Sequence, residues 1–153
     1  MASSNQITLL SPLLVGVGTT LCTILIHALI VGIIIWGVRR DLKRGRVGPS
    51  YAANLAFVAI ATMLALAGHL AEMGLWAVVF ELCGEFPGFA AAFYHSAVNY
   101  TTLGYGDVVM SAHWRLLGPL EASDGMLMFG VSTALIFAVV QRLIQTRLGL
   151  SER

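Results

Sequence analysis

Charged side chains are scarce in this chain. Asp, Glu, Lys and Arg make up only 11% of its 153 residues, against roughly 25% in an ordinary soluble domain. Cysteine is nearly absent, and its two copies, Cys22 and Cys83, fall in different segments. These shortages exclude a soluble globular domain and a disulfide framework. In their place the chain has 58% hydrophobic residues and a mean hydropathy of +0.82, which indicate an integral membrane protein.

Three long apolar runs predict membrane-spanning helices. The first covers residues 7–38 and has no charged side chain. The second covers about residues 51–81 and is uncharged until Glu72, and the third covers about residues 120–145. Each is longer than the roughly 20 residues that one crossing needs. The first run is not expected to be a signal peptide, because residues 1–6 carry no positive charge and the run is too long.

Basic residues predict the orientation of these helices. Five of the nine Lys and Arg residues lie in residues 39–46, before the Gly48-Pro49 break and a Ser50 that is expected to cap the second helix. Loops rich in Lys and Arg remain in the cytoplasm, so the N-terminus is expected outside and the C-terminus inside. The acidic residues then expected at or near the outer side, where they would attract cations, are Glu81, Glu85, Asp107, Glu121 and Asp124.

A short helix is predicted between the second and third spans. It follows the Phe86-Pro87-Gly88 break and covers residues 89–101, roughly three and a half turns, which is too short to cross a membrane. We therefore expect it to enter the membrane from outside and end there. Its carbonyl end carries partial negative charge and would favour a cation below it.

The stretch that follows this helix reads Thr101-Thr102-Leu103-Gly104-Tyr105-Gly106-Asp107. Two glycines alternate with larger residues, and glycine adopts positive φ without steric cost. Alternation of ordinary and left-handed conformations would aim successive carbonyls the same way. Four such strands around an axis form stacked oxygen cages that replace the hydration shell of a cation, with the Thr102 hydroxyl as a further ring. The short string alone also fits a glycine turn capped by Asp107, but the apolar surroundings favour the ion filter.

This T-x-G-Y-G-D string resembles the selectivity filter of potassium channels residue for residue. Residues 51–146 also resemble the small bacterial pore-loop channels in their order of outer helix, pore helix, filter and inner helix. The resemblance implies an all-α integral membrane protein with three transmembrane helices, a re-entrant pore helix and a tetrameric pore. It implies that the residues around K⁺ are Thr102, Leu103, Gly104 and Tyr105, with Gly106 at the outer turn. The residues that it implies as filter support are Asp107, Tyr94, Val98 and Asn99.

The inner helix of this family often bends at a glycine, which makes Gly130 a candidate gating hinge, although a glycine there can equally serve close packing. The residues that share its face and are expected to line a cavity are Thr133, Phe137 and Gln141. The chain departs from the family where Asn99 replaces a common threonine and Leu103 replaces valine or isoleucine. Both departures concern the selectivity and stability of the filter.

Ionisable groups inside the apolar runs are candidates for function. His69 and Glu72 are three residues apart and share one helix face, so they either pair structurally or sense pH. His27 is expected to be a polar residue that faces a neighbouring helix. His95 and His113 are further groups whose protonation would be a route to gating.

The sequence therefore predicts a channel and not an enzyme. It would conduct K⁺ passively, as a homotetramer, in a cell membrane such as the bacterial inner membrane. Residues 1–50 would form an added transmembrane helix with a basic loop, and residues 51–153 the pore domain. The expected partners are further copies of the chain, membrane lipids and the permeant K⁺ ion, with no nucleic acid and no cofactor. Two alternatives remain open: a weakly selective cation channel, and a non-conducting membrane partner that keeps the pore fold.

Overall fold

The computed structural model describes residues 9–44 and 50–147. These ranges contain no strand and four helices, namely α1 (Leu10–Lys43), α2 (Tyr51–Leu82), α3 (Phe89–Tyr100) and α4 (Leu117–Arg147). The predicted all-α membrane fold is confirmed. The predictions that lie outside the described residues are those made for residues 1–8, Gly45, Arg46, Gly48, Pro49 and Arg153.

Helix length separates the spanning helices from the short one. Helices α1, α2 and α4 have 34, 32 and 31 residues, and each contains a window apolar enough to cross a membrane. At about 1.5 Å per residue, each is longer than the roughly 30 Å hydrocarbon core. Helix α3 has 12 residues, or about 18 Å, and cannot cross.

Local signals in the sequence explain where the helices begin and end. The Ser50 side chain accepts a hydrogen bond from the Ala53 N–H at 3.4 Å, which confirms the predicted cap of α2. Helix α1 continues past the predicted end at Val38 because Arg40 and Lys43 fall in its last turn, where positive charge stabilises the helix dipole. Between α2 and α3 the chain turns at Gly84, whose φ is 75°.

The helices form a single bundle in which α2 and α4 are central. Helices α1 and α3 each pack against both α2 and α4, and α2 packs against α4. Helix α1 approaches α4 closely at Gly16, where an added Cβ would lie only 2.5 Å from Leu120 Cδ1. The first helix is thus an integral part of the packing.

Two apolar cores hold this bundle together. One surrounds α3, and its fully buried members include Trp76, Phe80, Ala92, Tyr100 and Leu117. The other lies at the opposite end of the bundle and consists of Ile34, Ala61, Val139 and Leu143. Between helices in lipid, close van der Waals packing and not removal from water is the stabilising term, and the first core packs α3, and the chain that follows it, against α2 and α4.

Candidate functional site

The backbone of residues 101–107, which we call the filter segment after the role predicted for it, alternates in handedness. Thr102, Gly104 and Gly106 have positive φ values of 60°, 60° and 72°, so every second residue is left-handed. Among the described residues that are not glycine, Thr102 alone has positive φ. Such a conformation costs of order 1–3 kcal/mol and persists only where the surroundings impose it. The segment is therefore held in an unusual backbone shape.

Hydrogen bonds to the end of α3 impose this shape. The N–H of Thr102 donates to the Asn99 carbonyl at 2.8 Å, and the N–H groups of Leu103 and Gly104 donate to the Val98 carbonyl at 2.9 and 3.2 Å. All peptide bonds described are trans, and in a trans peptide the C=O points opposite to the N–H. The carbonyls of Thr101, Thr102 and Leu103 therefore point away from α3.

A hydrogen bond connects the other end of the filter segment to the middle of α3. The Tyr94 hydroxyl donates to Asp107 Oδ2 at 2.7 Å, and Asp107 Oδ1 accepts from the Val108 N–H at 3.1 Å. The hydrogen bond to Asp107 raises the pKa of Tyr94, so the phenol remains a donor at neutral pH. Tyr94 and Asp107, both predicted to support the filter, thus meet directly.

His95 makes a second connection between α3 and the chain directly after the filter segment. Its Nδ1 lies 3.1 Å from the Val108 carbonyl, and its Nε2 lies 2.8 Å from Asn99 Nδ2. Both contacts are satisfied by neutral His95, which donates from Nδ1 and accepts at Nε2. Burial lowers the pKa of His95 despite the Val108 carbonyl, which raises it. The sequence singled out His95 only as a protonation candidate, because nothing local reveals its contact with Val108.

The side of the filter segment that faces away from α3 is open. Every residue from 101 to 109 is exposed, and Leu103 and Tyr105 have 55% and 67% of their surface accessible. A separate groove of about 480 Å³ lies on the α3 side of the segment, with His95 and Asn99 of α3 and Gly104 and Gly106 among its lining residues. The segment is thus fixed on one side and uncovered on the other.

The predicted outer acidic mouth requires a correction. Glu121 and Asp124 are 0% and 1% exposed. Glu121 accepts a hydrogen bond from Ser96 of α3, and Asp124 Oδ2 accepts from Trp76 Nε1 at 2.9 Å and from Thr23 at 2.7 Å. Helix α4 begins three residues earlier than predicted and presents both carboxylates to neighbouring helices instead of to the surface.

The candidates His69 and Glu72 do meet, and the structure adds partners that the sequence did not predict. His69 Nδ1 lies 3.3 Å from Glu72 Oε2, and His27 of α1 approaches Glu72 Oε1 to 2.9 Å. The Tyr100 hydroxyl donates to Glu72 Oε2. His27 and Glu72 are 45 positions apart, so only the packing of α1 on α2 brings them together.

The candidate residues and the glycines on α4 differ in exposure. The exposed ones are Gly130, Thr133, Phe137 and Gln141, and an added Cβ on Gly130 would meet no atom within 4 Å. Gly125, by contrast, packs directly on the end of α3, where a Cβ would lie 2.1 Å from the Tyr100 carbonyl oxygen. Helix α4 is continuous through Gly130, and its role as a hinge stays a prediction.

Comparison with known proteins gives one match. A family model described as an ion channel matches residues 58–142, more than half of the 153-residue chain. The match begins in α2, includes α3 and the filter segment, and ends in α4, so α1 lies outside it. No curated protein and no solved structure matched the chain significantly.

Proposed function

This chain belongs to the ion channel family, and from that premise we propose that it is a potassium-selective channel of the pore-loop type. The observation that carries the proposal is the backbone of residues 101–107. Left-handed residues alternate there, and three N–H groups point at α3. Carbonyls aimed at one side of a strand are the groups that replace water around a dehydrated K⁺ ion.

One chain supplies one filter strand, and a cage of carbonyls needs several. We propose a homotetramer in which Thr102, Leu103, Gly104 and Tyr105 of each copy bind K⁺ and Gly106 forms the outer turn. The exposure of the filter segment on the side away from α3 supports this assembly, because membrane-depth backbone of irregular shape must be covered by protein or line a water-filled path.

The remaining elements have defined roles in this pore. Helix α3 ends at Tyr100, directly before the filter segment, so its partial negative charge favours a cation at the inner end. The exposed face of α4 that carries Thr133, Phe137 and Gln141 would line an inner cavity, with Gly130 as the hinge. Ions would pass in single file, each arrival displacing the next.

The arrangement in the membrane follows from charge. We propose that the basic end of α1 and the C-terminal end of α4 face the cytoplasm, since Lys and Arg concentrate there. Residues 1–50 would then be an addition to the pore domain of residues 51–153. The apolar side chains exposed along α1, such as Leu14, Leu21 and Leu25, would contact lipid.

Flux from liposomes that contain only the purified protein tests this function. K⁺-loaded vesicles should release K⁺ when a protonophore allows charge compensation, and vesicles without protein should not. No K⁺ release from vesicles that hold a well-folded tetramer would contradict conduction and favour a non-conducting partner that keeps the pore fold. Equal release of K⁺ and Na⁺ would instead support a weakly selective cation channel, in line with the departures at Asn99 and Leu103.

A further inference from the structure

A buried cluster of polar side chains lies where α1, α2, α3 and α4 meet. We define the histidine cluster as His27, His69, Glu72, Tyr100 and Ser132. His27 and His69 are each 3% exposed and Glu72 is 0% exposed. Groups of this kind at membrane depth are costly and are seldom kept without a role.

The two imidazole rings are bridged at both edges. At one edge, Nδ1 of His27 and Nδ1 of His69 face the Glu72 carboxylate at 2.9 and 3.3 Å. At the other edge, the Nε2 atoms of both rings face the single Ser132 hydroxyl at 3.3 and 3.1 Å. Ser132 Oγ has two lone pairs and can therefore accept from both Nε2–H groups at once.

The cluster has fewer polar hydrogens than close polar contacts. Its members make six close polar contacts, four around Glu72, His69 and Tyr100 and two at Ser132. Two neutral imidazoles, one serine and one tyrosine supply only four hydrogens, and an ionised glutamate supplies none. When Ser132 accepts from both Nε2–H groups, two Nδ1 lone pairs converge on a carboxylate. In this tautomer a cation between the carboxylate and the two lone pairs would satisfy all three groups.

The buried acidic side chains around the cluster also favour a cation. Glu72, Glu121 and Asp124 are all buried within the bundle, and one oxygen each of Glu121 and Asp124 has no hydrogen-bond partner. Within the described part of the chain, the basic groups within ion-pair distance of Glu72 are two histidines, and none is Lys or Arg.

We propose that the histidine cluster binds a divalent transition metal ion of the Zn²⁺ class. One ring nitrogen of His27, one of His69 and a Glu72 oxygen lie within 4.8 Å of one another, and two imidazoles with one carboxylate are a donor set that Zn²⁺ favours. The histidine nitrogens lie 2.9 and 3.3 Å from the Glu72 oxygens, close to the roughly 3.3 Å that separates two ligands about 2.0–2.1 Å from a tetrahedral ion. Ser132 holds the opposite nitrogen of each ring, as outer partners of metal-bound histidines do.

The metal would join α1 to the pore. His27 belongs to α1, His69 and Glu72 to α2, and Tyr100, which donates to Glu72, is the last residue of α3 before the filter segment. The proposal does not rest on potassium selectivity, because metal binding is measurable in protein that does not conduct.

Metal content tests the proposal directly. Purified, tag-free protein is stripped with chelator, incubated with Zn²⁺, desalted and assayed by plasma mass spectrometry. Wild-type protein should retain one Zn²⁺ per chain, and His27→Gln and Glu72→Gln should retain none. The matched control is His113→Gln, which removes an exposed histidine and should retain one. Ser132→Ala should keep the stoichiometry but weaken Zn²⁺ binding at least about tenfold.

Co²⁺ provides a readout on the wild-type protein if a variant fails to fold. The stripped wild type should give the visible bands of four-coordinate Co²⁺ with nitrogen and oxygen ligands, and added Zn²⁺ should abolish them. Wild-type protein that holds no Zn²⁺ above the level of the His27→Gln variant would overturn the proposal and assign the cluster a proton instead. Full Zn²⁺ content in folded His27→Gln and Glu72→Gln proteins would overturn it too, since the metal would lie elsewhere.

Discussion

At the scale of single residues, the filter segment depends on conformations that side chains resist. Thr102 adopts a φ of 60° at a cost of order 1–3 kcal/mol, and its N–H bond to Asn99 holds it there. Gly104 and Gly106 adopt the same left-handed region without that cost. In the proposed tetramer four copies of Thr102 carry this cost. A side chain placed at Gly104 or Gly106 would likewise add its own cost four times, once per chain.

Replacing either filter glycine should abolish conduction. Gly104→Ala or Gly106→Ala places a Cβ on a left-handed residue at roughly 1–2 kcal/mol per chain, and we expect K⁺ flux from liposomes to fall at least about tenfold. The matched control is Gly74→Ala in α2, where a Cβ meets nothing within 4 Å and flux should be unchanged. Wild-type flux from both filter variants would refute the proposed backbone geometry.

The Tyr94–Asp107 hydrogen bond should set how long the filter stays open. Tyr94→Phe removes the hydroxyl that donates to Asp107 at 2.7 Å, and we expect current in planar bilayers to decline during sustained recording while K⁺ preference is kept. Asp107→Asn retains an acceptor oxygen for Tyr94 and should decline less. Steady current from Tyr94→Phe, equal to that of the wild type, would show that this bond does not support the filter.

The contact between His95 and Asn99 should be sensitive to acid, because a proton on Nε2 removes the lone pair that accepts from Asn99 Nδ2. Burial lowers the pKa of His95, so the folded protein favours the neutral ring. The stability that this ring contributes is present above the ordinary histidine value of about 6.5 and is lost as pH falls below it. The groups near His95 that raise its pKa, and so favour the protonated ring, are Val108, Asp107 and Glu85. We therefore expect flux to fall in that acidic range.

His95→Gln separates this residue from other titrating groups. Glutamine can donate to the Val108 carbonyl and accept from Asn99 without titrating, so the acidic decline should be smaller in the variant than in the wild type. Superimposable pH profiles for the two proteins would exclude His95 and leave His69, Glu72 or His113 as the pH-sensitive groups.

At the scale of elements, the junction between α3 and α4 positions the filter. Gly125 of α4 contacts the Tyr100 main chain, and Leu117 and Tyr100 share a core with Trp76 of α2. Because α3 ends at Tyr100, any displacement of this junction moves the filter segment. The close packing of α4 on α3 is therefore as important to the site as the filter sequence.

Gly125→Ala should destabilise the fold, and Gly130→Ala should not. A Cβ at Gly125 would lie 2.1 Å from the Tyr100 carbonyl oxygen, and such overpacking costs about 1–3 kcal/mol or more. Gly130 has no atom within 4 Å of its added Cβ, and Ala is the better helix former there. Thermal unfolding in detergent should give a lower melting temperature for Gly125→Ala alone. Equal melting temperatures for the two variants would show that Gly125 is not in close contact with α3.

At the scale of the whole molecule, the sequence pattern predicts the helices, whereas helix packing determines which distant side chains meet. Apolar length and the Phe86-Pro87-Gly88 break predicted three spans and a short helix, and the structure has them within a few residues. Helix faces predicted the His69–Glu72 pair. The contacts of His27 with Glu72, and the burial of Glu121 and Asp124, depend on how α1 and α4 pack, which spacing within one helix does not encode. The same holds for His95 and Val108, whose contact requires the chain to fold back on α3.

The most direct test of potassium selectivity is the reversal potential of the purified protein in a planar bilayer, with mostly K⁺ and a little Na⁺ on one side and the reverse mixture on the other. If carbonyls of residues 102–105 replace the water around K⁺, the current should reverse close to the potassium equilibrium potential, with little Na⁺ current. Reversal near zero, or no current from intact tetramers, would contradict the account.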